Sequence, residues 1–139
     1  MVQHVREIMT PDPATVTERT PLTEVARLMR ERDIGDVVVA ESGHVLGLVT
    51  DRDLVIRAVA EHRDPATTAA GDVCSGDLFT CAPEDPVEDA VRLMREHAVR
   101  RLPVLEDDRL VGTLSLGDLA LVRDPDSVLA HISEAPPNA

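Results

Sequence analysis

Apolar and polar positions follow two periods along this chain, and the same order of periods is written twice. Residues 3–9 carry one or two amphipathic helical turns, which Thr10-Pro11-Asp12-Pro13 stops. Ala14-Thr15-Val16 is a short strand. Leu22, Val25, Ala26 and Met29 recur at i, i+3, i+4 and i+7, the buried stripe of a helix reaching about residue 33. Thr20-Pro21 reads as its start, with Thr as N-cap and Pro first in the helix, and Gly35 closes it. Val37-Val38-Val39-Ala40 is a β-branched run, Ser42-Gly43 a turn and Val45–Val49 a returning strand, so a hairpin is predicted. A second helix is expected from Asp51 to about Glu61.

The plan then repeats. Thr80-Cys81 answers Thr15-Val16, and Asp85-Pro86-Val87-Glu88 reads as a capping box. Val87, Ala90, Val91 and Met94 form the second stripe. Leu102–Glu106 and Leu110–Ser115 predict a hairpin around Asp107-Asp108, with a helix after Ser115. Asp124-Pro125-Asp126-Ser127 ends that helix and caps a short last one near 128–133; 135–139 reads as a loose tail. Laid on 77–119, residues 12–54 need no gap and share thirteen identities, Gly47/Gly112 and Asp53/Asp118 among them. Unrelated segments would share about three. The chain is therefore one β-α-β-β-α unit duplicated: 5–62 and 70–123, a connector at 63–69, and a C-terminal extension over 124–139.

Composition narrows the function classes. With 139 residues and 43% hydrophobic content, the chain can bury one domain-sized core and is not disordered. Phe79 is its one aromatic residue, so the core is aliphatic. No apolar run approaches the roughly 18 residues of a membrane span. Met1–Arg6 has no secretory apolar segment, so a cytoplasmic location is expected. A net charge of −12 argues against nucleic acid and acidic membranes as partners. All 14 basic residues are Arg, whose planar forks suit phosphate, so local anion sites remain open. Cys74 and Cys81 match no metal or redox spacing and read as two semi-buried thiols; the five His form no ligand cluster. With no Walker loop, dinucleotide fingerprint, nucleophile elbow or metal cluster, neither an enzyme nor a resident cofactor is expected.

Each copy closes on the same corner, Gly47-Leu48-Val49-Thr50-Asp51-Arg52-Asp53 and Gly112-Thr113-Leu114-Ser115-Leu116-Gly117-Asp118. On the residues alone, two roles stay open. A hydroxyl followed three positions later by Asp is a capping box in its Asp form. A helix start also presents free N–H groups to phosphate, and a carboxylate accepts the two hydroxyls of a diol.

The order of elements with this ending, done twice, resembles the CBS (cystathionine-β-synthase) domain, and the tandem resembles a CBS pair, or Bateman module. The run His97-Ala98-Val99-Arg100-Arg101-Leu102-Pro103-Val104 is similar to the family's second-strand motif. In length and stand-alone form the chain resembles the small actinobacterial hypoxic-response CBS proteins. The resemblance implies an α/β fold of two pseudo-symmetric repeats packed as a pair, with clefts between them that commonly hold adenine nucleotides. It implies that Asp53 and Asp118 accept ribose hydroxyls and that Thr50 and Ser115 meet ribose or phosphate. Thr15 and Thr80 would border the base, with the strands at Val37 and Val39 and at Leu102 and Val104. Arg52, Arg100 and Arg101 would take phosphate. AMP, ADP or ATP is then the ligand of a regulatory homodimer that signals to a protein partner. The alternative is a structural or interaction protein, also a homodimer, whose clefts stay empty. The copies differ in charge: Arg100-Arg101 stands where the first copy has Gly35-Asp36, and Leu116-Gly117 where it has Asp51-Arg52. Unequal sites follow, with the stronger dependence expected at Asp53, beside Arg52.

Overall fold

The computed structural model describes residues 3–76, 78–123 and 126–135. Asp124 and Pro125 of the expected helix break, and positions 136–139 of the expected tail, lie outside the described residues. Along the chain run α1 (Val5–Ile8), β1 (Thr10–Pro11), β2 (Thr15–Val16), α2 (Leu22–Arg32), β3 (Asp36–Glu41) and β4 (His44–Thr50). Next come α3 (Asp51–Asp53), continued as a wider π-helical stretch over Leu54–Val59, and α4 (Ala70–Val73). The second half adds α5 (Val87–His97), β5 (Arg101–Glu106), β6 (Arg109–Ser115), α6 (Leu116–Arg123) and α7 (Val128–Glu134).

The duplication is realised in hydrogen-bond register. β3 pairs antiparallel with β4 from Asp36↔Thr50 to Glu41↔His44, with a bulge between Val39 and Ala40. Sixty-five residues on, β5 pairs with β6 from Arg101↔Ser115 to Glu106↔Arg109, with its bulge between Val104 and Leu105. Both hairpins turn through two left-handed residues, Ser42-Gly43 in one and Asp107-Asp108 in the other, the turn whose twist matches that of the strands. β2 runs parallel to β3, Val16 facing Val39, and Cys81 bridges Val104 in the same way.

The packing does not follow the repeats. Two compact units form: one runs from Pro13 to Leu78, the other joins the residues up to Asp12 with those from Phe79 onward. The opening segment of each repeat thus docks on the body of the other repeat. In the second-repeat unit β1 pairs antiparallel with β6, Thr10 facing Thr113, and Val5 is fully buried among Val87, Ala90, Leu102, Val104 and Leu114. In the first-repeat unit Ser75 bridges Leu48, and Ala70 and Val73 are buried with Leu22, Val25, Val37 and Val49.

This exchange explains where the expected caps differ. Pro21 and Pro86 occupy the N-cap positions of α2 and α5, and neither helix has a side-chain cap. The Thr20 hydroxyl instead accepts from Thr17 N–H (3.1 Å), and the Asp85 carboxylate from Ala82 N–H (2.9 Å). The first amide of each helix is satisfied by chain remote in sequence, the connector for α2 and the docked opening segment for α5. Leu22 N–H donates to the Thr68 carbonyl and Val87 N–H to the Gln3 carbonyl, each at 2.9 Å. The segment Thr10-Pro11, read from sequence as a break, is a strand because β6 offers it an edge. Asp33, not Gly35, ends α2 in the left-handed conformation, and Ala98 does so for α5. Ala26 is exposed, so the buried stripe of α2 narrows to Leu22, Val25 and Met29. The helical run from Asp51 stops at Val59, two residues short of expectation, before left-handed His62.

Candidate functional site

The strand-to-helix corners are built alike. Thr50 ends β4; its hydroxyl accepts from Asp53 N–H (3.1 Å), and the Asp53 carboxylate accepts from Thr50 N–H (2.9 Å). Ser115 and Asp118 repeat this at 3.0 and 2.9 Å. The capping role left open by the sequence is therefore filled at both corners. It uses Oδ2 of each carboxylate and leaves the other oxygen for a second partner. At Asp53 that oxygen lies 3.6 Å from Arg57 Nε. The corresponding position in the second repeat is Val122, which carries no charge.

A further backbone bond folds each corner against the entry to its hairpin. Asp51 N–H donates to the Gly35 carbonyl and Leu116 N–H to the Arg100 carbonyl, both at 2.9 Å. In the second-repeat unit this brings Arg100 and Arg101 beside Ser115 and Asp118, and the four share one cleft of about 590 Å³. Leu116, Gly117, Leu121 and Leu129 complete the lining. Two guanidinium groups and one carboxylate line this cleft. The first-repeat corner carries Asp36, opposite Thr50 in the sheet, with Asp51 and Asp53, and two arginines, the exposed Arg52 and Arg57.

Other expected positions fall elsewhere. Thr15 is exposed on β2 and lines a separate groove of about 410 Å³ with Thr17, Thr20, Glu24, Arg27 and Glu31. Neither Thr50 nor Asp53 lines it. Thr80 is exposed beside Cys81 and is not part of the Asp118 cleft. Val37, Val39, Leu102 and Val104 are at most 1% exposed and sit in the two hydrophobic cores. Strand alternation puts Val38 and Pro103 on the opposite face of each sheet, where both are buried as well.

Sequence reasoning missed Leu121 and Leu129. Leu121 follows the motif by one helical turn and could have been found from that spacing. Leu129 lies on α7, beyond the repeat, and no periodicity linked it to the corner. Among the described residues no three His, Cys, Asp or Glu side chains are grouped to hold a metal, and no helix is long and apolar enough to cross a membrane.

Two repeats of β-α-β-β-α, each closing on a hydroxyl–carboxylate helix start, define a tandem of one duplicated α/β unit. The CBS-domain family model matches residues 5–59 and 70–123, and the chain belongs to that family. It is 39% identical over 117 residues to the CBS domain-containing protein YhcV of Bacillus subtilis, covering 84% of this chain and 83% of that one. It is 35% identical over 116 residues to Hypoxic response protein 1 of Mycobacterium tuberculosis, covering 83% and 81%. A crystal structure of Hypoxic Response Protein I with two coordinated zinc ions matches with a TM-score of 0.76 at 34% identity, covering 85% of this chain and 97% of that one.

Proposed function

We propose that this CBS pair is a regulatory module that binds an adenine nucleotide, AMP, ADP or ATP, at the Asp118 corner and passes its occupancy to a protein partner in the cytoplasm. The observation that carries the reading is the cleft shared by Arg100, Arg101, Ser115 and Asp118. Its two guanidinium groups suit phosphate oxygens. The free carboxylate oxygen of Asp118 suits a ribose hydroxyl, and the apolar lining suits a base without aromatic stacking. We place the principal site at Asp118, where two arginines share the cleft, although sequence favoured Asp53. Homodimers are part of the proposal, on the apolar residues exposed along the helices that follow each motif.

Calorimetric titration with AMP, ADP, ATP and adenosine tests the reading. Binding should be saturable, and Arg101→Ala should weaken ATP more than adenosine, because only the phosphates reach a guanidinium. A second reading has its own support: both carboxylates already cap helices, which explains their presence without a ligand. Absence of heat and of thermal shift with every adenine nucleotide at millimolar concentration would leave this structural, ligand-free dimer standing.

A further inference from the structure

Helix α7 lies beyond the second repeat, whose family match ends at Arg123. It is nevertheless an ordered part of the second-repeat unit. The Ser127 hydroxyl caps it by accepting from Ala130 N–H (3.0 Å), Ala130 is fully buried, and the helix packs along α6. Its Leu129 lines the cleft that holds Arg100, Arg101 and Asp118, together with Leu121 of α6.

The first repeat supplies an internal comparison. The residue equivalent to Leu121 is Ile56, which is 49% exposed, whereas Leu121 is half-buried. After Val59 the chain of the first repeat turns at His62 toward α4, and no helix corresponding to α7 follows. The duplication therefore made two similar polar corners, and the second gained an apolar wall from α7, for which the first has no matching helix.

We infer that α7 is part of the ligand site, and that Leu129 and Leu121 form an apolar wall that selects ligands joining an anion to an apolar body. This rests on the nucleotide reading above and sharpens it. Arg100 and Arg101 attract the anion but would accept inorganic polyphosphate as readily as a nucleotide. The leucine wall removes apolar ligand surface from water, which polyphosphate lacks. Affinity for the charged end and selectivity for the apolar end then reside in different elements.

The chain has no Trp and no Tyr, so a Leu129→Trp variant carries a single reporter at the wall. Saturable change of its emission on adding AMP, with the midpoint seen by calorimetry on the same variant, is expected; tripolyphosphate should change it little. In the otherwise unchanged chain Leu129→Ser should weaken AMP about ten-fold and tripolyphosphate by less than two-fold. Leu129 is 40% exposed, and an unchanged melting curve would show that the fold is kept. If the wild type binds AMP, yet Leu129→Ser binds it equally and the Leu129→Trp emission does not respond, the inference is overturned while the nucleotide reading survives. If the wild type binds no adenine nucleotide, both fall.

Discussion

Asp53 and Asp118 each hold a helix start while presenting one carboxylate oxygen outward, and the two tasks separate by substitution. Asp→Ala removes both. It should lower stability by about 1 kcal/mol at either site, the usual cost of a lost cap. At Asp118 it should also weaken nucleotide about ten- to a hundred-fold, the value of one charged hydrogen bond of roughly 1.5–3 kcal/mol. Asp118→Asn keeps a carbonyl oxygen for Ser115 N–H and should preserve the melting temperature while still losing affinity. Calorimetry beside thermal melts reads both. Sequence showed the motif but not which oxygen was committed, because a hydroxyl–x–x–Asp spacing is identical in a cap and in a ligand site. Cys81 gives a pH prediction. Burial, with a smaller contribution from Asp85, raises its thiol from 9.0 to about 12. The folded state keeps the proton where the unfolded chain releases it. This contribution to stability is therefore complete below pH 9 and declines as pH rises toward 12. Cys81→Ala should flatten that alkaline loss in urea melts taken between pH 8 and 10.5, once its lower baseline is subtracted.

At the scale of elements, the docked segments account for features that propensity left unexplained. Helices, hairpins and their register were legible because each unit's hydrophobic period is local. The exchange of α1–β1 and α4 between repeats was not, because amphipathic turns over residues 3–9 do not say which core receives them. The two hairpin glycines mark the docking. A Cβ on Gly47 would lie 2.5 Å from the Ser75 carbonyl and 2.9 Å from Cys74 Sγ. One on Gly112 would meet Met9 Sδ at 2.8 Å and the Thr10 carbonyl at 2.9 Å. Both should destabilise, by about 1–3 kcal/mol as overpacking generally does. Gly47→Ala should be the worse, since its closest obstacle is backbone and that of Gly112 is a flexible thioether. Chemical denaturation of both variants gives the order; equal midpoints would contradict this account of the docking.

For the whole molecule, duplication has left two apolar surfaces exposed among the described residues. Val55, Ile56 and Val59, on the helical run after the first motif, are 55%, 49% and 67% exposed. Leu116 and Val122 on α6 and Val128 and Ile132 on α7 are exposed as well. Single exposed aliphatics are ordinary on a protein surface, but i, i+1 and i+4 clusters on one helix form patches of the kind that mark interfaces. The net charge of −12 works the other way: repulsion between copies weakens as salt screens it, while apolar burial does not. Association should therefore strengthen with ionic strength. Sedimentation at micromolar protein should give a particle of twice the 15.1 kDa chain mass, and the dimer fraction should rise between roughly 0.02 and 0.5 M salt, where the screening length falls well below 10 Å. Val59→Glu puts a charge at the most exposed position of the first patch and should shift the equilibrium toward monomer without changing the melting curve of the dilute protein. A 15.1 kDa species at every salt concentration, with Val59→Glu indistinguishable from wild type, would remove the homodimer from the proposal and leave the nucleotide cleft, which lies within one chain, untouched.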